Sequence, residues 1–248
     1  MHWQADSIKA VLFTAPFGSH RDASELWAEA FPGDTPDGYQ RNPSAPNLQS
    51  SASGERYGFV INVTAQVGQI SVVATPVFRQ VPGLVMPGLT PPRIAEVTDA
   101  TYIAVEAMKR LAPSFQAARI ALILELAKTA VGVVTADMMS EELPNVPFPP
   151  GSIEPSFQFN SLAPLPSAPH ITLNRICIWS SGQVGFFGGN MPGVPANGPM
   201  AMSSFIGFNV DVNTSPSQNL FGVNLTDAFD CLRSEALSIA ENQMRHFL

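Results

Sequence analysis

The chain has 248 residues, 45% of them apolar, which is enough for a substantial core in one large domain or two closely packed small ones. Charged residues make up only 13%, against the roughly one quarter of an ordinary soluble domain, and a net charge of −7 with thirteen basic residues supplies no phosphate-neutralising stripe. Wholesale disorder is excluded, nucleic-acid binding is disfavoured, and apolar runs such as 120–124 and 131–134 fall far short of the roughly 18 residues that a membrane-spanning helix needs.

Near the N-terminus, Asp6 precedes a short apolar stretch at 10–13 without a basic region or a small-residue cleavage site, which argues against a signal peptide and for a cytoplasmic location. In that compartment Cys177 and Cys231 are expected to be reduced packing residues. The triplets at Asn62, Asn213 and Asn224 then carry no glycan.

Residues 9–15 predict a first strand, ended by Pro16 and Gly18. Asp22 with Glu25 three residues on is a capping-box-like start for a helix through Phe31, whose apolar side is Leu26, Trp27 and Phe31. Residues 32–55, rich in Pro, Gly, Asn and Ser, read as a loop. Two alternating strands at 58–65 and 70–77 form a hairpin around 66–69. Thr90-Pro91-Pro92 signals the start of a helix that carries Ile94, Val97, Thr101, Ala104, Val105, Met108 and Leu111 at helical spacing and ends at Pro113. Alternation of Ile120, Leu122, Leu124 and Leu126 predicts a strand at 119–127, followed by a weaker helix at 136–143.

Strand, helix, strand, strand, helix, strand is the split-βαβ or ferredoxin-like order, expected here for residues 1–142. Residues 143–248 are expected to form a β-rich half, the whole making one integrated α+β unit with helices largely on one face of an antiparallel or mixed sheet. Each half contains a hairpin followed by a helix, but no repeat of solenoid length is present.

The second half begins with a proline-dense connection from Pro144 to Pro169 that reads as a segment lying over a surface. Strands at 171–179 and 184–187 bracket Ser180-Ser181-Gly182-Gln183 as a second hairpin, and a Gly- and Pro-rich loop spans 188–199. The strand at 205–212 turns Ile206, Phe208, Val210 and Val212 one way and Asn209 and Asp211 the other. A C-terminal helix is capped by Thr226, with Asp227 and Asp230 at its positive end and Arg245 and His246 at its negative end.

Chemical motifs are sparse. The four histidines, His2, His20, His170 and His246, form no HxH, HExxH or His/Cys cluster, so neither a metal nor another cofactor is expected. His20 follows the first strand and precedes a helix, where an imidazole can face a cleft, and it is the one candidate for general acid-base catalysis. Trp179-Ser180-Ser181-Gly182 lacks the frame of a nucleophile elbow, and Cys177 between Ile176 and Ile178 reads as packing. Glu141 and Glu142, adjacent on a helix, point in different directions and read as a solvated end. The glycines between Gly182 and Gly193 are followed by prolines rather than by a lysine and a helix, so they do not form a phosphate cradle. Phe186, Phe187, Met191 and Met200, with Trp179 beside them, instead suggest a contact surface.

The strand 119–127 after an amphipathic helix, and the strand 207–212 leading through a polar loop to a long C-terminal helix, resemble a sporadically distributed bacterial family of about 250-residue uncharacterised proteins. That resemblance implies the fold and a bacterial or mobile-element origin, and transfers no catalytic residue. A ferredoxin-like start with a later glycine-rich loop is also similar to the repeat-associated RNA-binding and RNA-processing proteins of bacterial immunity, although Lys128 and Arg175 are the only basic residues from 120 to 232.

The leading functional expectation is a non-enzymatic interaction or assembly subunit, forming a homo-oligomer or binding a protein partner. Its warrant is local: Glu154, Arg175 and Asp211 are the only charges in the 84 residues 143–226, leaving little to keep an exposed surface soluble. The alternatives are an RNA-processing nuclease using His20 and a small-molecule or peptide sensor with a cleft near Phe186 and Phe187.

Overall fold

Alternation of apolar and polar side chains at a period of two organises most of this chain, and the result is a single antiparallel sheet carrying helices. The computed structural model describes residues 3–14, 21–42, 49–78, 91–186, 201–216 and 218–247. Within them, β1 (Gln4–Thr14) leads to α1 (Ala23–Ala30), a meander of β2 (Gly38–Asn42), β3 (Gln49–Arg56), β4 (Phe59–Gln66) and β5 (Gln69–Pro76), and then α2 (Val97–Leu111). After a short 3-10 turn, β6 (Ala117–Ala130) leads to α3 (Ala136–Glu142), a meander of β7 (Phe157–Leu165), β8 (Ala168–Phe186) and β9 (Ala201–Thr214), and then α4 (Leu225–Asn242).

The order across the nine-stranded sheet is β2-β3-β4-β5-β1-β6-β9-β8-β7, with every strand pairing antiparallel. The β1·β6 pair, in register at Lys9 and Ile123, is the seam. On each side of it the chain runs strand, helix, meander, helix, and the last strand of each meander returns to pair with the seam. Two halves that share only a faint sequence pattern therefore share an order of elements. One sheet crosses the boundary at 142, because β6 bonds to both β1 and β9.

Helices α1, α2 and α4 cover one face. Ile8, Ala10 and Leu12 of β1, Leu122, Leu124 and Leu126 of β6, and Phe208, Val210 and Val212 of β9 meet Leu26 and Trp27 of α1, Val105 and Met108 of α2, and Phe229 and Leu232 of α4 in one core. Each large aliphatic or aromatic side chain among these contributes roughly 1.5–3 kcal/mol when taken from water. On the surface of this layer, Lys109 and Arg233 alternate with Glu106 and Asp230 in a four-member ionic network that joins α2 to α4.

Several expected boundaries move. Residues 32–55 contain β2 and β3, whose serines and glutamines hide the pattern; only Ser50, Ala52 and Gly54 of β3 are buried, at a period of two. The helix expected from Pro91 begins at Val97, because Ile94 and Ala5 exchange two backbone hydrogen bonds of 2.8 Å and keep the chain extended there. The proline-dense segment contains β7, an edge strand, where Pro164 is tolerated on a rim that bonds to one neighbour only.

The predicted turn at 180–183 is absent. β8 runs straight through it, pairing Ser180 with Gly207 and Gln183 with Ser204. Gly182 is there for space: an added Cβ would stand 2.5 Å from the ring of Phe205 across on β9. Asn224 rather than Thr226 caps α4, its side chain accepting from the backbone N–H groups of Thr226 and Asp227. The helix stops at Asn242 because Gln243 adopts φ 52°, so Arg245 and His246 lie in a 3-10 turn beyond it.

Candidate interaction surface

The face of the sheet turned away from α1, α2 and α4 differs between its two ends. In the second half, β7 presents Gln158, Asn160 and Leu162, all exposed, while Phe157 and Phe159 turn inward. On β8 the outward residues are Asn174, Ile176 and Ile178, and on β9 they are Asn209, Asp211 and Asn213. Register places Asn160, Ile176, Asp211, Ile123 and Lys9 in one row across five strands.

Of the three charges in residues 143–226, only Asp211 belongs to this face. Arg175 lies on the helix side, bonded to Glu235 at 3.0 Å, and Glu154 precedes β7. The Asp211 carboxylate accepts from Asn213 Nδ2 at 2.9 Å, and Asn213 Oδ1 accepts from Asn174 Nδ2 at 3.1 Å. Burial pushes the Asp211 carboxyl above the ordinary carboxylate range, against the hydrogen bond from Asn213 and the charge of Arg119, which pull it down. Asn213 is itself fully buried, so the accessible part of this face is Asn160, Asn174 and Asn209 beside Ile176 and Ile178, uncharged groups that can meet another protein surface without stranding charge.

Trp179 does not belong to this surface. Its parity on β8 is that of Cys177, its ring is fully buried, and it stacks on Phe208 between Phe157 and Phe159. Phe186 closes β8 opposite Ala201, with its side chain outside the described residues. His20, Phe187, Met191, Met200 and the loop 188–199 lie outside the described residues as well.

One catalytic-looking constellation emerges that sequence spacing did not suggest. Ser238 Oγ lies 3.1 Å from His246 Nδ1, and His246 Nε2 lies 2.9 Å from Glu235 Oε1. The order is that of a serine–histidine–carboxylate triad. Ser238, however, sits inside α4, whose backbone N–H groups are committed to the helix and leave no donor pair for an oxyanion. Glu235 is at the same time held by Arg175, whose guanidinium lies over the ring of Phe247 at 5.1 Å. The group is a clamp that folds the C-terminal turn back onto β7 and β8. Cys177 nearby is equally inert, its thiol pushed up to about 12 by burial.

Among the described residues, no three His, Cys, Asp or Glu gather as metal ligands, and no helix is long and apolar enough to cross a membrane. Comparisons with protein-family models, with curated proteins and with solved structures find no match.

Proposed function

We propose that the protein is a non-enzymatic assembly subunit of the bacterial cytoplasm, and that it associates with a second copy of itself through the outward face of β7, β8 and β9. The observation that carries this reading is the pairing of Leu162, Ile176 and Ile178 with uncharged amides on a helix-free face where, among the described residues of β7, β8 and β9, Asp211 is the one carboxylate and His170 lies exposed near the start of β8. A two-fold contact brings identical patches together, so a charged face would oppose like charges, whereas an amide and aliphatic face does not. Two such sheets can pack face to face at about 10 Å.

A ferredoxin-like reading of the first half belongs to the same proposal. It is supported by the order β4-β5-β1-β6, in which α1 and α2 lie on the two connections that cross the sheet.

The test is sedimentation velocity across micromolar concentrations, comparing the natural chain with an Ile176→Asp/Ile178→Asp variant checked for an unchanged circular dichroism spectrum. The natural chain is expected to be dimeric and the variant monomeric. A natural chain that stays monomeric throughout, or a variant that associates equally well, overturns the proposal.

A further inference from the structure

The helix layer leaves one flank of α2 open. With 8 residues against 15, α1 spans about 12 Å and α2 about 22 Å, so α1 covers only part of its neighbour. Arg110 Nη1 donates to the carbonyl of Ala30 at 2.7 Å, docking the end of α1 near the end of α2. Further along α2 the β3–β4 turn forms the opposite wall instead, and a cleft of about 500 Å³ lies between them.

Phe31, Phe59 and Ile103 give this cleft its apolar lining, and the rings of Tyr57 and Tyr102 stand exposed at its rim. Its charges are sorted by end. Glu96 and Asp99 line it beside the first turn of α2, and among the described residues neither has an ion-pair partner. Arg110 lines it fourteen residues later, also with no carboxylate partner among the described residues, while Glu106 is committed to Lys109 and Arg233. Fourteen residues of helix rise about 21 Å, the reach of about six residues of extended chain.

Tyr57 is held at the rim against its backbone preference. Tyr57 and Gly58 form the two-residue turn between β3 and β4 with φ of 57° and 82°, a conformation that favours Asn-Gly. Arg56, bonded to Asp34 and Asp37, fixes the base of that turn.

We propose that this cleft binds an extended peptide segment of another protein, about six residues long and apolar in its middle. A Lys or Arg at one end lies over Glu96 and Asp99, and an acidic side chain or terminal carboxylate at the other end meets Arg110. The distance between the charged ends favours a chain over a compact metabolite. The cleft lies on the helix side of the sheet, so its occupancy is tested independently of self-association.

The experiment pans a phage-displayed random heptapeptide library against the natural protein, a Glu96→Lys/Asp99→Lys variant and an Arg110→Glu variant, and measures recovered sequences as synthetic peptides by fluorescence anisotropy. Peptides enriched on the natural protein are expected to carry a basic and an acidic end around an apolar centre, and to bind each variant at least tenfold more weakly. Tyr57→Asn, which suits the turn better, is expected to raise Tm while weakening the same peptides. No enrichment, or equal binding to the Glu96→Lys/Asp99→Lys variant, overturns the proposal. Loss of self-association in that variant also overturns it, because a second copy would then occupy the cleft. If the double variant does not fold, Arg110→Glu and Tyr57→Asn decide by the same criteria.

Discussion

Trp179 and Phe208 stack across the β8·β9 ladder with ring centroids 4.3 Å apart and planes 15° from parallel. Phe159 stacks on Trp179 from one side and Trp3 meets Phe208 at a tilt of 52° on the other, so four aromatic rings from four strands, or their immediate flanks, form one continuous row in the core. Replacing Trp179 with Ala is expected to cost about 3–5 kcal/mol, the range for a large aromatic removed from a core. Urea denaturation measures it, and a loss below about 1 kcal/mol would contradict the buried role.

Asn224 accepts from the N–H groups of Thr226 and Asp227 at 3.1 and 3.4 Å, and thereby satisfies donors that α4 cannot bond internally. Asn224→Ala should lower stability by about 0.5–2 kcal/mol in thermal or urea unfolding. Thr226→Ala, whose hydroxyl is not the cap, should have a clearly smaller effect.

The clamp on the C-terminal turn predicts a pH dependence. Burial opposes ionisation of Glu235, but hydrogen bonds from Arg175 and His246, with their charges, outweigh it and hold the carboxyl below its ordinary 4.5. The unfolded chain therefore takes up this proton more readily than the folded one. The clamp's contribution is complete above the unfolded value and fades as pH falls through the lowered folded value. Glu235→Gln should lower stability at neutral pH and flatten the acid limb. Urea midpoints from about pH 7 to about pH 3 would show it, and parallel curves for the two proteins would refute it.

Asp211 predicts the opposite slope. Its folded pKa is raised, chiefly by burial, so the folded state binds the proton more tightly than the unfolded state. Relative stability is greatest below the ordinary value of 3.8 and declines as pH rises through the folded value. Self-association through this face would bury the carboxyl further and so tighten as pH falls. Asp211→Asn should stabilise the chain at neutral pH and remove the part of the pH dependence of association that comes from this carboxyl, which feels the charge of Arg119. Sedimentation at several pH values that shows none in the natural chain would count against the face as the contact.

The strands readable in advance are those where one face is aliphatic: β4, β5, β6 and β9 all alternate plainly. β2 and β3 are concealed because most of their side chains are Ser, Gln, Asn or Arg, and their pairing is fixed by neighbours in the sheet rather than by their own periodicity. Gly182 misled for a related reason. A glycine beside serines reads as a turn, yet here it makes room for Phe205, a contact 23 residues away that local sequence does not encode. The scarcity of charge in 143–226 was legible in sequence, but which residues share the outward face, Ile178 rather than Trp179, depended on strand parity, which the expected turn at 180–183 obscured. The cleft beside α2 was not visible in sequence, since it joins Phe31, Tyr57 and Arg110 from three separate elements.

The seam between β1 and β6 has a consequence for biosynthesis. β1 ends at Thr14 and its second partner begins at Ala117, so a growing chain presents one edge of β1 unpaired until roughly a hundred further residues have emerged. At about 5–20 residues per second that interval is of the order of 5–20 s. During it, the strand that will become the middle of the sheet is an open template for a neighbouring nascent chain.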